Sequence, residues 1–241
     1  MRPSEEGSGA LAIVARVLEA PSDEIVRVVP VRPAPPDPAR LAIGGALRVL
    51  RHRLEVRRGQ GLWTFGITSA RPGEGKSTTA AQLAVVLAEA QRARVLLVEG
   101  CFERPSLARM LGVEVPAGLG FSAQMARRMG GGAGPWGVLA LGPSLHALLE
   151  GTADASYPGV LYAPVFRSAV EQLGRAYDWV VVDAPSILGS GDANVVEEAV
   201  DGMLVVARCG RSRAADLRAA VKQLGLRKAL GVVLRDGAPP S

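Results

Sequence analysis

The segment ARPGEGKST, residues 70 to 78, has the residue types and spacing that hold a nucleotide phosphate. It fits the P-loop pattern except that Ala70 stands in place of the first Gly. In such a loop, successive backbone N–H groups wrap a phosphate at the positive end of the helix that follows. The sequence therefore predicts nucleotide binding by six consecutive residues: Gly73, Glu74, Gly75, Lys76, Ser77 and Thr78.

Three side chains could handle the phosphates and a metal ion. Lys76 would place its ammonium between the β- and γ-phosphates, and the hydroxyl of Ser77 would bind Mg²⁺. Asp183 ends the apolar run WVVVD, so we expect it at the carboxyl end of a central strand, where α/β sheets bind ligands. A carboxylate there can hold Mg²⁺, commonly through water. We therefore predict Ser77 and Asp183 as the metal site.

The elements that must position these residues alternate along the chain. Short apolar runs of the kind buried in parallel sheets predict strands at 62–68, 94–99, 179–185, 202–208 and 229–235. Helical spacing of apolar residues predicts helices at 41–58, 78–91, 166–177, 193–200 and 213–225. This alternation predicts an α/β fold with a doubly wound, mostly parallel sheet.

Two regions stand apart from this alternation. Residues 1–40 carry short apolar segments and then PVRPAPPDPAR, which we interpret as a Pro-rich tail and linker before a domain at 41–241. A role for those apolar segments in docking on a partner stays open. Residues 112–160 are Gly-rich and contain one predicted strand, at 138–142. They fit either a mobile loop over the site or a disordered connection.

Composition excludes several classes of protein. The chain has 241 residues, a formal charge of +5, two Cys and two His, which are too few for a disulfide framework or a metal cage. The arginines are scattered and no aromatic-interleaved RNA motif occurs, so we expect solvated arginines and no nucleic-acid partner. No apolar run of about 18 residues occurs, so we expect neither a signal peptide nor a membrane span, and a cytoplasmic location.

Two longer stretches resemble the bacterial tyrosine kinases of capsule and exopolysaccharide biosynthesis. These are ITSARPGEGKSTTAAQLA and YDWVVVDAPSILGSGDANVVEEAVDGMLVVAR, and the likeness covers roughly residues 45 to 235. The resemblance implies a P-loop NTPase of the deviant-Walker type that uses ATP and Mg²⁺. It further implies regulation of polysaccharide polymerisation or export through a membrane partner, the chain-length-control (co-polymerase) protein. The chain would then lie in the cytoplasm, at the inner face of the membrane.

The acidic strand motif departs from that family. The family has Asp-x-Asp-x-Arg after three apolar residues, and this chain has Glu99, Cys101 and Glu103. Glu99 can still serve as a general base, which with Lys76 and Asp183 completes the predicted catalytic set. Cys101 is a poor ligand for Mg²⁺, because a hard cation prefers oxygen. Glu103 reverses the charge of the family arginine, so both changes weaken phosphoryl transfer.

Other departures from the family concern the contacts between subunits and the recognition of the nucleotide base. Arg48 and Arg51 match the arginines of the family's subunit-joining helix, but Gly45 replaces its Glu, which weakens the expectation of a homo-oligomer. Arg235 stands where the family has an Asn associated with the base.

Three interpretations of function therefore remain open. The first is an active tyrosine kinase acting on a partner or on Tyr157 and Tyr162, since the family's tyrosine-rich tail is absent. The second is a nucleotide-binding regulatory module that does not transfer phosphate. The third is a partition or division-site ATPase, which ranks last because Arg71 and Pro72 stand where that class places a Lys.

Overall fold

The computed structural model describes residues 25–31, 44–89, 93–151 and 163–236. The strands within these ranges are β1 (Val26–Pro30), β2 (Thr64–Ser69), β3 (Val95–Glu99), β4 (Trp136–Ala140), β5 (Leu145–Leu148), β6 (Trp179–Asp183), β7 (Gly202–Arg208) and β8 (Ala229–Arg235). The helices within them are α1 (Gly45–Arg58), α2 (Lys76–Glu89), α3 (Leu107–Leu111), α4 (Phe121–Met129), α5 (Ala163–Ala176), α6 (Asp192–Ala199) and α7 (Ala214–Lys228).

The strands form one sheet in the order β1-β4-β5-β3-β6-β2-β7-β8. Every neighbouring pair is parallel except β4 with β5. Strands β2, β3 and β6 are buried along their whole length, as expected for a sheet covered by helices on both faces. The buried residues form two clusters, one around Phe166 and Val182 and one around Leu83 and Val181. The predicted doubly wound, mostly parallel α/β fold is confirmed.

Residues 26–30, which we expect in a tail and linker, instead form the edge strand β1. This strand pairs in parallel with β4, in the register Val28 to Val138, and Trp136 N–H donates to Ile25 C=O at 2.8 Å. Val26 and Val29 pack against opposite core clusters, which holds the strand to the sheet. The tail interpretation is therefore wrong for this segment. Residues 1–24 and 32–40 lie outside the described residues.

The Gly-rich region contains more structure than the one strand that we predict at 138–142. That strand begins earlier, at Trp136, and a second strand, β5, and helix α4 accompany it. Phe121 and Met125 of α4 are fully buried with Trp136, so apolar anchors between the glycines hold the region to the core. Neither a mobile loop nor a disordered connection describes residues 112–151, whereas residues 152–160 lie outside the described part of the chain.

Helix α1 docks on α2 through the arginines that we associate with subunit contacts. Arg48 Nε lies 3.5 Å from Glu89 Oε2, and Arg51 Nη1 donates to the Val86 carbonyl at 3.3 Å. Leu54 is buried beneath them. Both arginines thus have partners within the chain, and the homo-oligomer stays a prediction.

The carboxylate of Asp201 joins the start of β7 to the start of β2. Its Oδ2 accepts hydrogen bonds from Trp63 N at 2.9 Å, Thr64 N at 2.8 Å and Thr64 Oγ1 at 2.9 Å. Thr64 is buried, so its N–H has little access to water. One carboxylate therefore aligns the strand that leads into the P-loop.

We expect Asp201→Ala to lower the free energy of unfolding by about 1–3 kcal/mol, because it leaves the buried Thr64 N–H without an acceptor. Chemical denaturation measures this. Glu171→Ala is the control, since Glu171 makes an exposed pair with Arg167 and such pairs contribute about 0–1 kcal/mol. Equal effects of the two substitutions would contradict the role of Asp201.

Candidate nucleotide-binding site

The loop between β2 and α2 has the backbone that a phosphate cradle requires. Gly73 and Gly75 have φ angles of +84° and +95°, which residues with a Cβ adopt only under strain. A Cβ on Gly75 would also lie 2.7 Å from Arg235 Nη1. Helix α2 begins directly after this turn, at Lys76. The loop therefore presents its N–H groups at a helix N-terminus, as a phosphate site needs.

The side chain of Glu74 stabilises this loop by two hydrogen bonds. Its buried carboxylate accepts hydrogen bonds from Arg71 N at 2.8 Å and from the Ser212 hydroxyl, which ties the loop to the segment after β7. Among the predicted nucleotide-binding residues, Glu74 therefore has its side chain engaged inside the protein. Glu74 would therefore bind a phosphate only through its backbone N–H.

Lys76, Ser77 and Asp183 meet at the carboxyl edge of the sheet. Lys76 Nζ lies 3.6 Å from Asp183 Oδ1 and 3.3 Å from Ser77 Oγ. Asp183 is fully buried, and its two oxygens accept no hydrogen bond from the described residues. Burial raises the pKa of Asp183, and the Lys76 ammonium opposes that rise. A buried carboxylate short of donors, beside a hydroxyl, suits a divalent cation.

Glu99 ends β3 and is the register partner of Asp183 in β6. Its carboxylate accepts hydrogen bonds from Leu107 N at 2.9 Å and from Ser106 N at 3.3 Å, at the start of α3. Burial raises the pKa of Glu99 to about 8, and the charge of Asp183 adds to the rise. Through these hydrogen bonds Glu99 holds the loop that follows β3, while its role as a general base stays a prediction.

Cys101 faces the same site. It is 8% exposed and lines a cavity of ≈ 920 Å³ together with the P-loop, and burial raises the pKa of its thiol. Glu103 lines this cavity too, from an exposed position. Within the described residues, no group of three or more His, Cys, Asp and Glu side chains is arranged to hold a metal. The thiol thus occupies the cavity wall without completing a metal cage there.

Sequence reasoning missed the role of two arginines in this cavity. Arg235 Nη1 donates to the Gly75 carbonyl at 3.1 Å, and Arg208 Nε lies 2.6 Å from Asp236 Oδ2. Arg208 and Arg235 are register partners at the carboxyl ends of β7 and β8. We treat Arg235 only as a departure from a family pattern in the sequence, although its place at the end of a parallel strand is a signal for the site.

Comparison with known proteins finds sequence relatives that include a tyrosine-protein kinase and a succinoglycan biosynthesis transport protein. Tyrosine-protein kinase YwqD of Bacillus subtilis (strain 168) is 33% identical over 147 residues, which are 61% of this chain and 60% of that protein. The succinoglycan biosynthesis transport protein ExoP of Rhizobium meliloti (strain 1021) is 30% identical over 176 residues, 70% of this chain but 22% of that protein. The chain thus spans less than two thirds of the length of either relative. No family model matches the chain.

Solved structures with a similar fold include two kinds of P-loop protein. The kinase domain of Escherichia coli tyrosine kinase ETK has a TM-score of 0.63 at 22% identity, over 81% of this chain and 78% of that one. The septum site-determining protein MinD from Pyrococcus horikoshii, complexed with Mg-ADP, has a TM-score of 0.53 at 21% identity, over 71% of this chain and 69% of that one. The chain shares the fold of these structures, and the loop between β2 and α2 fits the P-loop pattern. The sequence relatives thus include proteins named tyrosine-protein kinases, and the solved structures with this fold include tyrosine kinase domains.

We expect Glu99→Gln to gain stability relative to the native chain as the pH rises from 5 to 8. The pKa of Glu99 is raised from 4.5 to about 8 on folding, so in this window the folded chain binds a proton that the unfolded chain lacks. The native chain therefore loses stability as the pH rises through this window, whereas the chain with the neutral amide does not. Denaturation at several pH values, with Glu171→Gln as control, measures the difference. Parallel profiles for the native and Glu99→Gln chains would contradict it.

Proposed function

We propose that this chain binds Mg-ATP in the cavity above the P-loop. One observation supports this proposal above all. Lys76 and Ser77 lie next to the buried carboxylate of Asp183, which accepts no hydrogen bond from the described residues. The loop that carries them contains two glycines with positive φ angles. An ammonium and a row of backbone N–H groups stabilise a polyphosphate, and the carboxylate balances the ammonium while no nucleotide is bound.

The residues present fit a magnesium ion. Ser77 and Asp183 would hold it through oxygen atoms, which a hard cation prefers. When bound, the ion neutralises charge on the phosphates. Lys76 contacts the phosphates, and Arg235 holds the loop by its bond to Gly75.

We further propose that the nucleotide state of this chain regulates polysaccharide polymerisation or export through a membrane partner of the co-polymerase kind. The names of the two sequence relatives support this role, one as a tyrosine-protein kinase and one as a succinoglycan biosynthesis transport protein. In the described part of the chain, no helix has the length and apolar character to cross a membrane.

A second candidate function, a regulatory module that binds ATP without transferring phosphate, is favoured by the acidic strand. Glu99 is turned to the backbone of Ser106 and Leu107, and Cys101 stands where an oxygen ligand would serve Mg²⁺. Tyr177 is 6% exposed and its hydroxyl lies 2.7 Å from His146 Nδ1, so it is a poor phosphate acceptor. Tyr157 and Tyr162 lie outside the described residues.

Calorimetric titration with ATP, with and without Mg²⁺, tests the binding proposal. We expect saturable binding that Mg²⁺ strengthens and that Lys76→Ala weakens about 10–100-fold, because a hydrogen bond to a charged group contributes about 1.5–3 kcal/mol. Lys222→Ala, at an exposed position of α7, is the control and leaves the affinity unchanged. Absence of ATP binding by the native chain would overturn both candidate functions.

Measurement of ATP turnover distinguishes the two candidate functions, the active kinase and the regulatory module. For the regulatory module we expect little ATP hydrolysis by the native chain and at least a tenfold gain in Cys101→Asp, because the substitution restores a hard oxygen ligand. Robust hydrolysis by the native chain that Lys76→Ala abolishes would exclude the module. Phosphotyrosine on the chain or on a co-expressed partner, detected by mass spectrometry, would single out the kinase.

A further inference from the structure

A second cavity, of ≈ 320 Å³, shares no lining residue with the nucleotide site. Its described lining comprises two arginines and seven apolar or small residues, namely Arg27, Ala117, Gly118, Leu119, Arg127, Ala133, Gly134, Pro135 and Gly137. Because β4 runs antiparallel to β5, β1 and β4 begin at the sheet edge where the P-loop strand ends. The cavity therefore opens at the same edge as the nucleotide site, separated from it by other strands.

The floor of this cavity is fixed by hydrogen bonds. Gly137 is the register partner of Arg27, and a Cβ on Gly137 would lie 2.6 Å from Leu119 Cδ2. The buried amide of Gln124 accepts from Gly137 N at 2.7 Å and donates to Gly137 O at 2.9 Å and to Leu119 O at 2.8 Å. One side chain thus holds two walls of the cavity in place.

The charges around the cavity are unbalanced. Arg27 and Arg127 are exposed, and no carboxylate is among the described residues that line the cavity. Arg128 does not itself line the cavity; it is 5% exposed and has its guanidinium carbon 3.5 Å from the centroid of the Trp136 ring. Arg128 Nη2 donates to the carbonyl of Gly134, which lines the cavity, at 2.6 Å. Two guanidinium groups therefore line the cavity, and a third contacts its wall at Gly134.

Arg128 has capacity left for an acceptor. Its Nη1 is buried and makes no hydrogen bond with the described residues. Burial lowers the pKa of Arg128 to about 10, and the charge of Arg127 adds to this effect. A negative charge in the cavity would offset both the burial of this cation and its repulsion by Arg127.

We propose that this cavity is a binding site for a small anion, a phosphoryl or carboxylate group held by Arg27 and Arg127. The planar guanidinium fork matches both kinds of oxyanion and binds them through paired hydrogen bonds. The cavity volume of ≈ 320 Å³ accommodates one small ligand. The site is independent of the nucleotide site, since it uses none of the P-loop residues.

The test uses the full chain with Lys76→Ala, which weakens phosphate binding at the P-loop. Inorganic phosphate and citrate are titrated separately by calorimetry at low ionic strength. We expect saturable binding of at least one of them, and at least a tenfold loss of affinity when Arg27→Gln and Arg127→Gln are added. Arg218→Gln, at an exposed position of α7, is the matched control and leaves the affinity unchanged.

The two anions distinguish the ligand class, because binding of phosphate alone indicates a phosphoryl ligand and binding of citrate alone a carboxylate ligand. Thermal melting without ligand checks that the substituted chain folds, and the single substitution Arg27→Glu, at an exposed position, provides an independent reversal of charge. No saturable binding of either anion, or binding that the arginine substitutions leave unchanged, would overturn the proposal.

Discussion

The pairing of Lys76 with Asp183 is the interaction on which the site depends. The ammonium lies 3.6 Å from a carboxylate that is fully buried and accepts no hydrogen bond from the described residues. Leaving water costs both groups several kcal/mol each, and their mutual attraction offsets that cost only while both remain in place. In the proposed nucleotide complex, the phosphates would pair with Lys76 and a cation with Asp183.

The surrounding structure keeps this pair in position. Strand β6 carries Asp183 to the sheet edge, and β2 carries the loop that begins α2 at Lys76. Glu74 ties the back of the loop to Ser212, and Arg235 ties its front to the end of β8. Both ties come from the β7–β8 side of the sheet, so the loop is anchored to that side.

At this edge of the sheet, the strand β3 differs from the family motif in its side chains but keeps its regular pairing with β6. Glu99 lies beside Asp183 in register, and two adjacent buried carboxylates cannot both be charged at low cost. Turning the Glu99 carboxyl to the N–H groups of Ser106 and Leu107 satisfies it without a cation. These hydrogen bonds hold the loop that follows β3, which contains Cys101 at the cavity wall.

The sequence by itself determined the parts that depend on local pattern. The apolar runs predict β2, β3, β6, β7 and β8, and the loop motif predicts where a phosphate would bind, because period and spacing express local geometry. Tertiary structure alone decided the pairing of β1 with β4, which joins segments more than a hundred residues apart. It also decided the directions of Glu99 and Arg235, because a side chain's partner depends on which distant backbone groups the fold brings within reach.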